Sequence, residues 1–457
     1  MINIKTDHRK IKKGDTFVAI KGHTVDGHDF IEDAIKNGAT KIICERGSYK
    51  VETKIVKNTK IYLRNYLKRH YSHLFNDLKL IAVTGTNGKT TTCYLLYESL
   101  IKLKQNAAYI GTIGFYMNGK KVRDLPNTTP EITEIYLMLL EAKHNNVTYI
   151  FMEASSHSLS EKRLYGLLFD IALFTNLTKD HLDYHNNFRN YANAKKNLFK
   201  NLKNKKIAIV NNDDKFKNYF LINSNYNVTY GFSQSDFRII DTVTNNIGSV
   251  INVKFKNKDY IVKTKLSGKY NVYNITCVFI VLYYLGYAFK DIINVIHELD
   301  APTGRMEKYY DNTNTIVIDY AHTPDAVFNV ITTAKDFTKG RIITLIGCGG
   351  ERDKTKRPEM AQIATDLSDY AIFSSDNPRN EDPEEILDDM VRNLKNTNFL
   401  RISNREQAIK KAISLLREND TLLLLGKGHE TYQIIGNNKI PFSDKEVSHK
   451  YLNKKDC

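Results

Sequence analysis

Cysteine is sparse in this 457-residue chain, and its five residues (Cys44, Cys93, Cys277, Cys348 and Cys457) form no CxxC pair. That scatter argues against a disulfide framework or a zinc site, and free reduced thiols are expected. No apolar run reaches the ~18 residues of a membrane-spanning helix. The opening stretch "MINIKTDHRK" lacks the apolar core of a signal peptide, so a cytoplasmic protein is expected. No unit of ~20–50 residues repeats, and no long low-complexity segment appears. What remains is a chain with 42% hydrophobic and 26% charged residues, the profile of a soluble globular protein long enough for two to four domains.

Negative charge is in deficit. The formal net charge of +16 raises nucleic-acid binding as a possibility. The lysines are spread along the whole chain among Asn, Ile and Tyr, as in "NLFKNLKNKK" and "KFKNKDYIVKTK", with no basic tail, RNA-binding signature or zinc-finger spacing. These four residue types share A/T-rich codons, which accounts for much of the excess. The balance fits acidic small substrates better than nucleic acid.

Short apolar runs alternate with amphipathic stretches, the pattern of α/β units with parallel strands. A first block, residues 1–77, holds the strand candidates "DTFVAI" and "KIICE" around a helical "DFIEDAIKNG". A second, 78–301, opens with "LKLIAVTG" running into the helical "TTTCYLLYESLIKLK", with "YIFMEA", "DIALFTN" and "KKIAIVN" as further strands. A third, 302–457, offers "NTIVIDY", "RIITLIG", "YAIFSS" and "DTLLLLG". The expected fold is three α/β domains: a small first one, a central one of P-loop type with a mainly parallel sheet, and a Rossmann-like third.

One more absence is diagnostic. The stretch "AVTGTNGKTTT", residues 82–92, keeps the Gly-Lys-Thr of a phosphate-binding loop, yet Val83 stands where the Walker A pattern has its leading glycine. The physics of the loop survives that loss. Backbone N–H groups of Gly85, Thr86, Asn87 and Gly88 converge at the positive end of a helix, Lys89 adds charge, and the Thr90 hydroxyl can hold Mg²⁺, with Thr91 following. The plain alternative is an ordinary strand–turn–helix in which the glycines only allow a tight turn.

"TGTNGKTTT" resembles the ATP loop of the Mur ligases and their folylpolyglutamate synthetase relatives, which lack the leading glycine. Further segments are similar to the Mur ligases in order along the chain, and to the MurE branch among them: "VDGHDFIEDAIKNGA", "NTTP", "MEASSHSL", "FTNLTKDHLDYH", "AKKNLF", "GKYNVYN", "GRME", "DYAHTPD", "GCGGERDKTKRP", "DNPRNEDP" and "GKGHETYQ". The resemblance implies an ADP-forming amide ligase that adds a third amino acid to UDP-N-acetylmuramoyl-L-alanyl-D-glutamate through an acyl phosphate. The first domain would then bind the UDP-sugar, the central one ATP, and the third the amino acid. The resemblance also assigns residues. Lys89 and Thr90 serve phosphate and metal, Glu153 and His181 hold Mg²⁺ (two ions), and Lys195 is carbamylated by CO₂ to become a metal ligand. Asp180, Asp183 and His185 support that block, and Lys196 is left to solvent. Asn274, Arg305, Asp319 and His322 are expected at the nucleotide. Read alone, His181 is an ordinary hydrogen-bonded histidine, Lys195 one lysine of a solvated helix face, and Asp319 a cap for the helix at "PDAVFNV".

For the sugar nucleotide, relatives usually carry "DSR" near their start; this chain has "DHR", which puts His8 by the uracil. Thr128, Thr129, Ser155 and Arg163 match muramoyl-dipeptide positions, with Glu161 where relatives often have glutamine. For the amino acid, Asp376, Asn377, Pro378 and Arg379 form the "DNPR" of the diaminopimelate-adding type, with Arg379 as the carboxylate clamp, completed by Arg352, Gly426 and Glu430. The plain alternative pairs Arg379 with Glu381 or Asp382 on a loop surface. The competing functions are the same ligase using L-lysine, a folylpolyglutamate synthetase-like ligase lacking the first block and "DNPR", a P-loop motor, and a non-catalytic binding protein. Small-molecule partners and a monomer are expected.

Overall fold

The structure is a computed structural model describing residues 2–22, 25–245, 247–311 and 313–452. Cys457 and the His23–Thr24 pair of the "GHTVDGHDF" segment lie outside the described residues. The other four cysteines are free and buried.

Three sheets follow one another along the chain. The first has four parallel strands (Ile4–Lys5, Thr16–Val18, Lys41–Cys44 and Glu52–Ile55). Helix Thr59–Tyr71, capped by Asn58 accepting from the Ile61 amide at 2.9 Å, leads out of it.

The second sheet has eleven strands, with Lys79–Thr84 near its middle between Tyr149–Glu153 and Phe169–Phe174, all parallel. Those central strands read as continuous apolar runs because helices cover both faces. Both flanks turn antiparallel: Gly114–Met117 and Lys120–Arg123 on one side, Phe237–Thr244, Ser249–Phe255 and Lys258–Thr264 on the other. The third sheet has six strands, parallel except for the edge strand Glu307–Asp311. A two-stranded hairpin, Tyr432–Ile435 with Asn438–Pro441, stands apart from it. Among the described residues no helix is long and apolar enough to cross a membrane.

The order puts the ligand-bearing loops where open α/β sheets place them, at the carboxyl ends of the strands. The phosphate loop leaves Thr84, Glu153 ends its strand, and Asp319 ends Asn314–Asp319.

Candidate active site

The buried strand Lys79–Thr84 delivers the chain to Gly85, and helix Lys89–Lys102 starts directly after Gly88. Both glycines have positive φ, +154° and +85°. A Cβ at Gly85 would lie 1.9 Å from Thr175 Oγ1, and one at Gly88 would lie 2.6 Å from Asn274 Oδ1, so the turn closes only without side chains there. Thr86 Oγ1 is 3.0 Å from the Tyr191 hydroxyl, and the Asn87 amide donates to Asn176 Oδ1 at 2.9 Å. Asn274, buried, accepts from Thr92 Oγ1 at 3.1 Å. Thr91 is buried behind the loop. The Lys89 ammonium donates to Gly85 O and Thr86 O at 3.0 and 2.8 Å, and desolvation lowers its pKa.

Glu153 is fully buried with every oxygen engaged. Oε1 accepts from the Tyr109 hydroxyl and from the Thr112 amide (2.8 Å); Oε2 accepts from Thr90 Oγ1 (2.9 Å) and Thr112 Oγ1 (3.1 Å). The carboxylate and the Thr90 hydroxyl therefore form one pair of hard oxygen donors. Arg305 reaches the same hydroxyl, donating through Nη2 at 3.0 Å, while its guanidinium lies over the Tyr320 ring at 4.7 Å and its buried Nε has no hydrogen-bond partner among the described residues.

Lys195 lies on a stripe, not on a solvated face. In helix Phe188–Phe199, Tyr191, Lys195 and Phe199 recur every fourth residue and are all buried. Lys195 Nζ donates to Gly85 O at 2.7 Å and sits 4.6 Å from the Tyr191 ring centroid. Burial, with Lys89 close by, holds its pKa well below that of an ordinary lysine. Lys196 beside it is half-buried and not fully solvated.

His181 adopts φ +52° and lies 3.3 Å (Nε2) from Asp180 Oδ2. Its ring meets His157 edge-on at 4.7 Å, and His157 in turn lies 4.2 Å from Tyr184 and 5.6 Å from His185. Desolvation depresses the pKa values of these rings, to about 3 for His181 and about 4 for His185. Burial opposes ionisation of Asp180, but His181, His322, Lys356 and Lys89 together hold its pKa below the usual value. Among the described residues no three His, Cys, Asp or Glu side chains converge as a ready metal cluster. The expected metal set is thus split between a Thr90–Glu153 pair and His181 and Lys195 around Tyr191. Asp183 stays at the rim.

Asp319 does not cap the next helix. Thr323 does, accepting from the Ala326 amide at 3.3 Å. Asp319 Oδ2 instead accepts from the Met306 amide at 2.7 Å, and burial raises its pKa to about 6 against the pull of Arg305. His322 Nδ1 is bonded to Tyr320 O at 2.7 Å, and desolvation lowers its pKa to about 4.

Toward the first sheet, Thr129 Oγ1 donates to Glu153 O at 2.7 Å and accepts from the Ser155 amide at 3.1 Å. Thr128 Oγ1 is 3.1 Å from Thr112 Oγ1. Arg163 donates to Thr129 O at 2.8 Å and pairs with Glu161 (2.7 Å) and Glu131 (3.0 Å). These four surround the strand end that carries Glu153. His8 stacks on Phe30 at 4.6 Å and 3° within the first unit; the adjacent Lys10 pairs with Glu134 at 2.9 Å, docking that turn near Thr128–Thr129.

In the third unit, Arg379 has φ +54° and donates to Gly350 O at 2.7 Å. It pairs with neither neighbouring acid: Glu381 is held by Arg357 (2.9 Å) and Lys354 (3.2 Å), and Asp382 caps helix Pro383–Val391. Burial and the nearby Arg352 lower its pKa. Asn377 binds Glu430 at 2.8 Å, and Lys427, fully buried, binds Glu430 at 3.0 Å. Burial, then Asp376, raises the pKa of Glu430. Gly426 has φ +107° and leaves room only for Asp376, whose Oδ2 would be 2.5 Å from a Cβ there; Gly350 likewise packs on Pro378 O, 1.9 Å from a would-be Cβ. Two arginines and two acids thus share one wall. The hairpin holds that wall: the Arg379 amide donates to Ile434 O at 3.0 Å and Gln433 Nε2 to Asp376 O at 2.8 Å.

Sequence reasoning missed His157, Lys427 and Gln433, although each lies in a quoted segment. Tyr191 was also missed; its four-residue spacing from Lys195 was the available signal.

Comparisons with known proteins place these features in context. Three family models match: Mur ligase family, catalytic domain (residues 2–72), Mur ligase middle domain (83–282), and Mur ligase, glutamate ligase domain (304–428). The chain is 39% identical to the UDP-N-acetylmuramoyl-L-alanyl-D-glutamate--2,6-diaminopimelate ligase 1 of Clostridium acetobutylicum, covering 98% of this chain and 94% of that one. A solved structure of a ligase of that name is similar with TM-score 0.69 and 30% identity, covering 100% of this chain and 96% of the other. A MurF ligase from Thermotoga maritima, solved in complex with ADP, shares the fold at TM-score 0.70 and 20% identity over 99% of this chain and 98% of its own.

Proposed function

The chain belongs to the Mur ligase family, and from that premise we propose that it joins meso-2,6-diaminopimelate to UDP-N-acetylmuramoyl-L-alanyl-D-glutamate at the expense of ATP, releasing ADP and phosphate, in peptidoglycan precursor synthesis. The observation that carries the choice of amino acid is Arg379, half-buried, without a carboxylate partner among the described residues, beside Arg352 and opposite Asp376 and Glu430. Diaminopimelate brings a distal carboxylate for the arginines and a distal ammonium for the acids; lysine brings only the ammonium. The matched first unit, residues 2–72, supports the muramoyl ligase over a folylpolyglutamate synthetase-like enzyme.

The substrate's glutamyl carboxylate attacks the γ-phosphorus of ATP, giving an acyl phosphate and ADP. The amine of diaminopimelate then adds to the acyl carbon, and the tetrahedral adduct expels phosphate. Lys89 and Arg305 bring positive charge to the transferring phosphoryl group, and the loop amides hold the remaining phosphates. Asn274, Asp319 and His322 line the nucleotide side. Thr128, Thr129, Ser155 and Arg163 orient the dipeptide, with His8 toward the uracil.

The donor set suits Mg²⁺: the Thr90 hydroxyl and Glu153 carboxylate are hard oxygen ligands already 2.9 Å apart, and His181 would offer a further donor beside Tyr191. When bound, two such ions would neutralise phosphate oxygens. Lys195 would add a fourth donor as a carbamate. Burial, with Lys89 close by, lowers its pKa and so favours the neutral amine, whose nitrogen can add to CO₂ and lose a proton, turning a cation into an anionic oxygen donor.

An amino-acid panel tests the reading. Phosphate release is expected only with ATP, Mg²⁺, the UDP-muramoyl-dipeptide and meso-diaminopimelate together. Equal or faster turnover with L-lysine would overturn the specificity.

A further inference from the structure

The chain contains a cavity of about 600 Å³ away from the phosphate loop and the "DNPR" wall. It opens at the other end of the central sheet, where Leu80 lies near the start of strand Lys79–Thr84. Three separate pieces of chain enclose it: the end of helix Thr59–Tyr71 with the turn Ser72–Phe75, residues 159–168 after the short helix Ser156–Ser160, and the end of helix Phe188–Phe199 with the start of the next strand.

Its chemistry is one-sided. Phe75, Leu80, Leu159, Leu164 and Leu167 are buried and supply an apolar floor. Lys68, Lys162, Lys200 and Lys203 stand at the wall, and among the described residues no aspartate or glutamate lines it. Lys203 is committed to Asp170 at 2.7 Å and Leu78 O at 3.1 Å. Lys68 lies over the Tyr165 ring at 5.5 Å. Lys162 and Lys200 are exposed and have no carboxylate partner among the described residues. Two other surface lysines by contrast face acids: Lys143 faces Asp77 and Lys10 faces Glu134, both at 2.9 Å. Backbone strain shapes the wall: Lys162 has φ +55°, and Gly166 has φ +86° with Tyr136 OH 2.5 Å from a would-be Cβ. A volume of this order is that of a small-molecule site, and it combines apolar area with a few placed charges.

We infer that this cavity binds an amphiphilic organic anion, a phosphate or carboxylate head at Lys162 and Lys200 with an alkyl body over Phe75, Leu159 and Leu164. None of its lining residues belongs to the ATP, dipeptide or amino-acid sets. Two of its walls nevertheless continue into them, because helix Phe188–Phe199 carries Lys195 and residues 159–168 include Arg163.

The chain has no tryptophan, so His73→Trp at the rim places a single reporter there. Titration of that variant with octyl phosphate below its micelle concentration is expected to give a saturable change at one molecule per chain, matched by calorimetry on the unsubstituted protein. Lys162→Gln/Lys200→Gln should weaken binding at least ~10-fold while leaving ligase turnover without octyl phosphate unchanged, which shows that the variant is folded. Octanol and inorganic phosphate alone should bind far more weakly. Co-sedimentation with phosphatidylglycerol vesicles, lost in the double variant, would assign the anion to a lipid headgroup; octyl phosphate binding without co-sedimentation would assign it to a free amphiphile, and either supports the site. Binding that survives the double substitution, that octanol matches, or that does not saturate overturns it.

Discussion

The Lys195 side chain donates its hydrogen bond to the carbonyl oxygen of Gly85 at 2.7 Å, fastening the middle of a helix to the phosphate loop 110 residues earlier. That contact makes the buried amine and the loop one unit.

Lys195→Ala is expected to reduce ligase turnover by at least ~100-fold, the scale of losing a charge-stabilising group at a reacting centre. Short carboxylates such as acetate should restore part of it by standing in for the carbamate oxygen. A fully active variant would remove Lys195 from the mechanism. Mass spectrometry of the intact protein under CO₂ gives a second readout.

Glu153→Gln keeps the shape of the side chain but removes the charge facing Thr90 Oγ1. The expected result is a rise of roughly 10- to 100-fold in the Mg²⁺ concentration needed for half-maximal rate, with the thermal midpoint near that of the parent. An unchanged Mg²⁺ requirement would exclude Glu153 as a metal ligand.

Arg379→Ala should raise KM for meso-diaminopimelate by about 100-fold, corresponding to ~2.7 kcal/mol for a charge-assisted contact. KM for ATP should stay as it is. Asp382→Asn, on the acid that caps the neighbouring helix, should leave the KM for diaminopimelate within about two-fold of the parent. Equal effects of the two substitutions would mean that Arg379 only supports the loop.

Acid should destabilise the fold near neutrality. His181, His185, His322 and His429 have pKa values depressed by desolvation to about 3, 4, 4 and 3. The unfolded chain therefore binds more protons as pH falls below ~6.5, so their contribution is present above that pH and is lost downward toward the folded values. Asp319, raised to about 6, acts with the opposite sign between ~4 and 6, as do Glu131, Asp214, Asp325 and Glu430, whose pKa values burial also raises; these acids offset part of the histidine contribution. The thermal midpoint is expected to fall by at least ~5 °C from pH 7.5 to pH 5, and His185→Gln should shrink that fall. A flat profile would contradict the desolvation of these rings.

Much of the central frame was legible in sequence. The runs before Gly85 and through Glu153 are apolar because both sheet faces are covered, and such runs announce themselves. The antiparallel flanks were not, since strands such as Lys258–Thr264 alternate polar and apolar residues and are bounded by Asn and Lys turns with positive φ, Lys256 and Asn257 among them. Site residues were legible only as motifs. Nothing local to Arg305 says that it will reach a hydroxyl 215 positions earlier, and nothing near Arg379 says that a later hairpin will fix its backbone. Long-range pairing is where sequence reading ends. The Lys195 stripe is different, because its spacing from Tyr191 and Phe199 was present and needed only to be read as a helix face.

Two bonds tie the third sheet's territory to the phosphate loop: Arg305 to Thr90, and Asn87 Nδ2 to Asp325 Oδ2 at 2.7 Å. Both end on residues expected to meet ATP, so nucleotide and neighbouring domain compete for, or share, the same few polar atoms. The loop therefore fastens the third unit to the central one as well as being shaped for phosphate, so its polar atoms serve two partners at once.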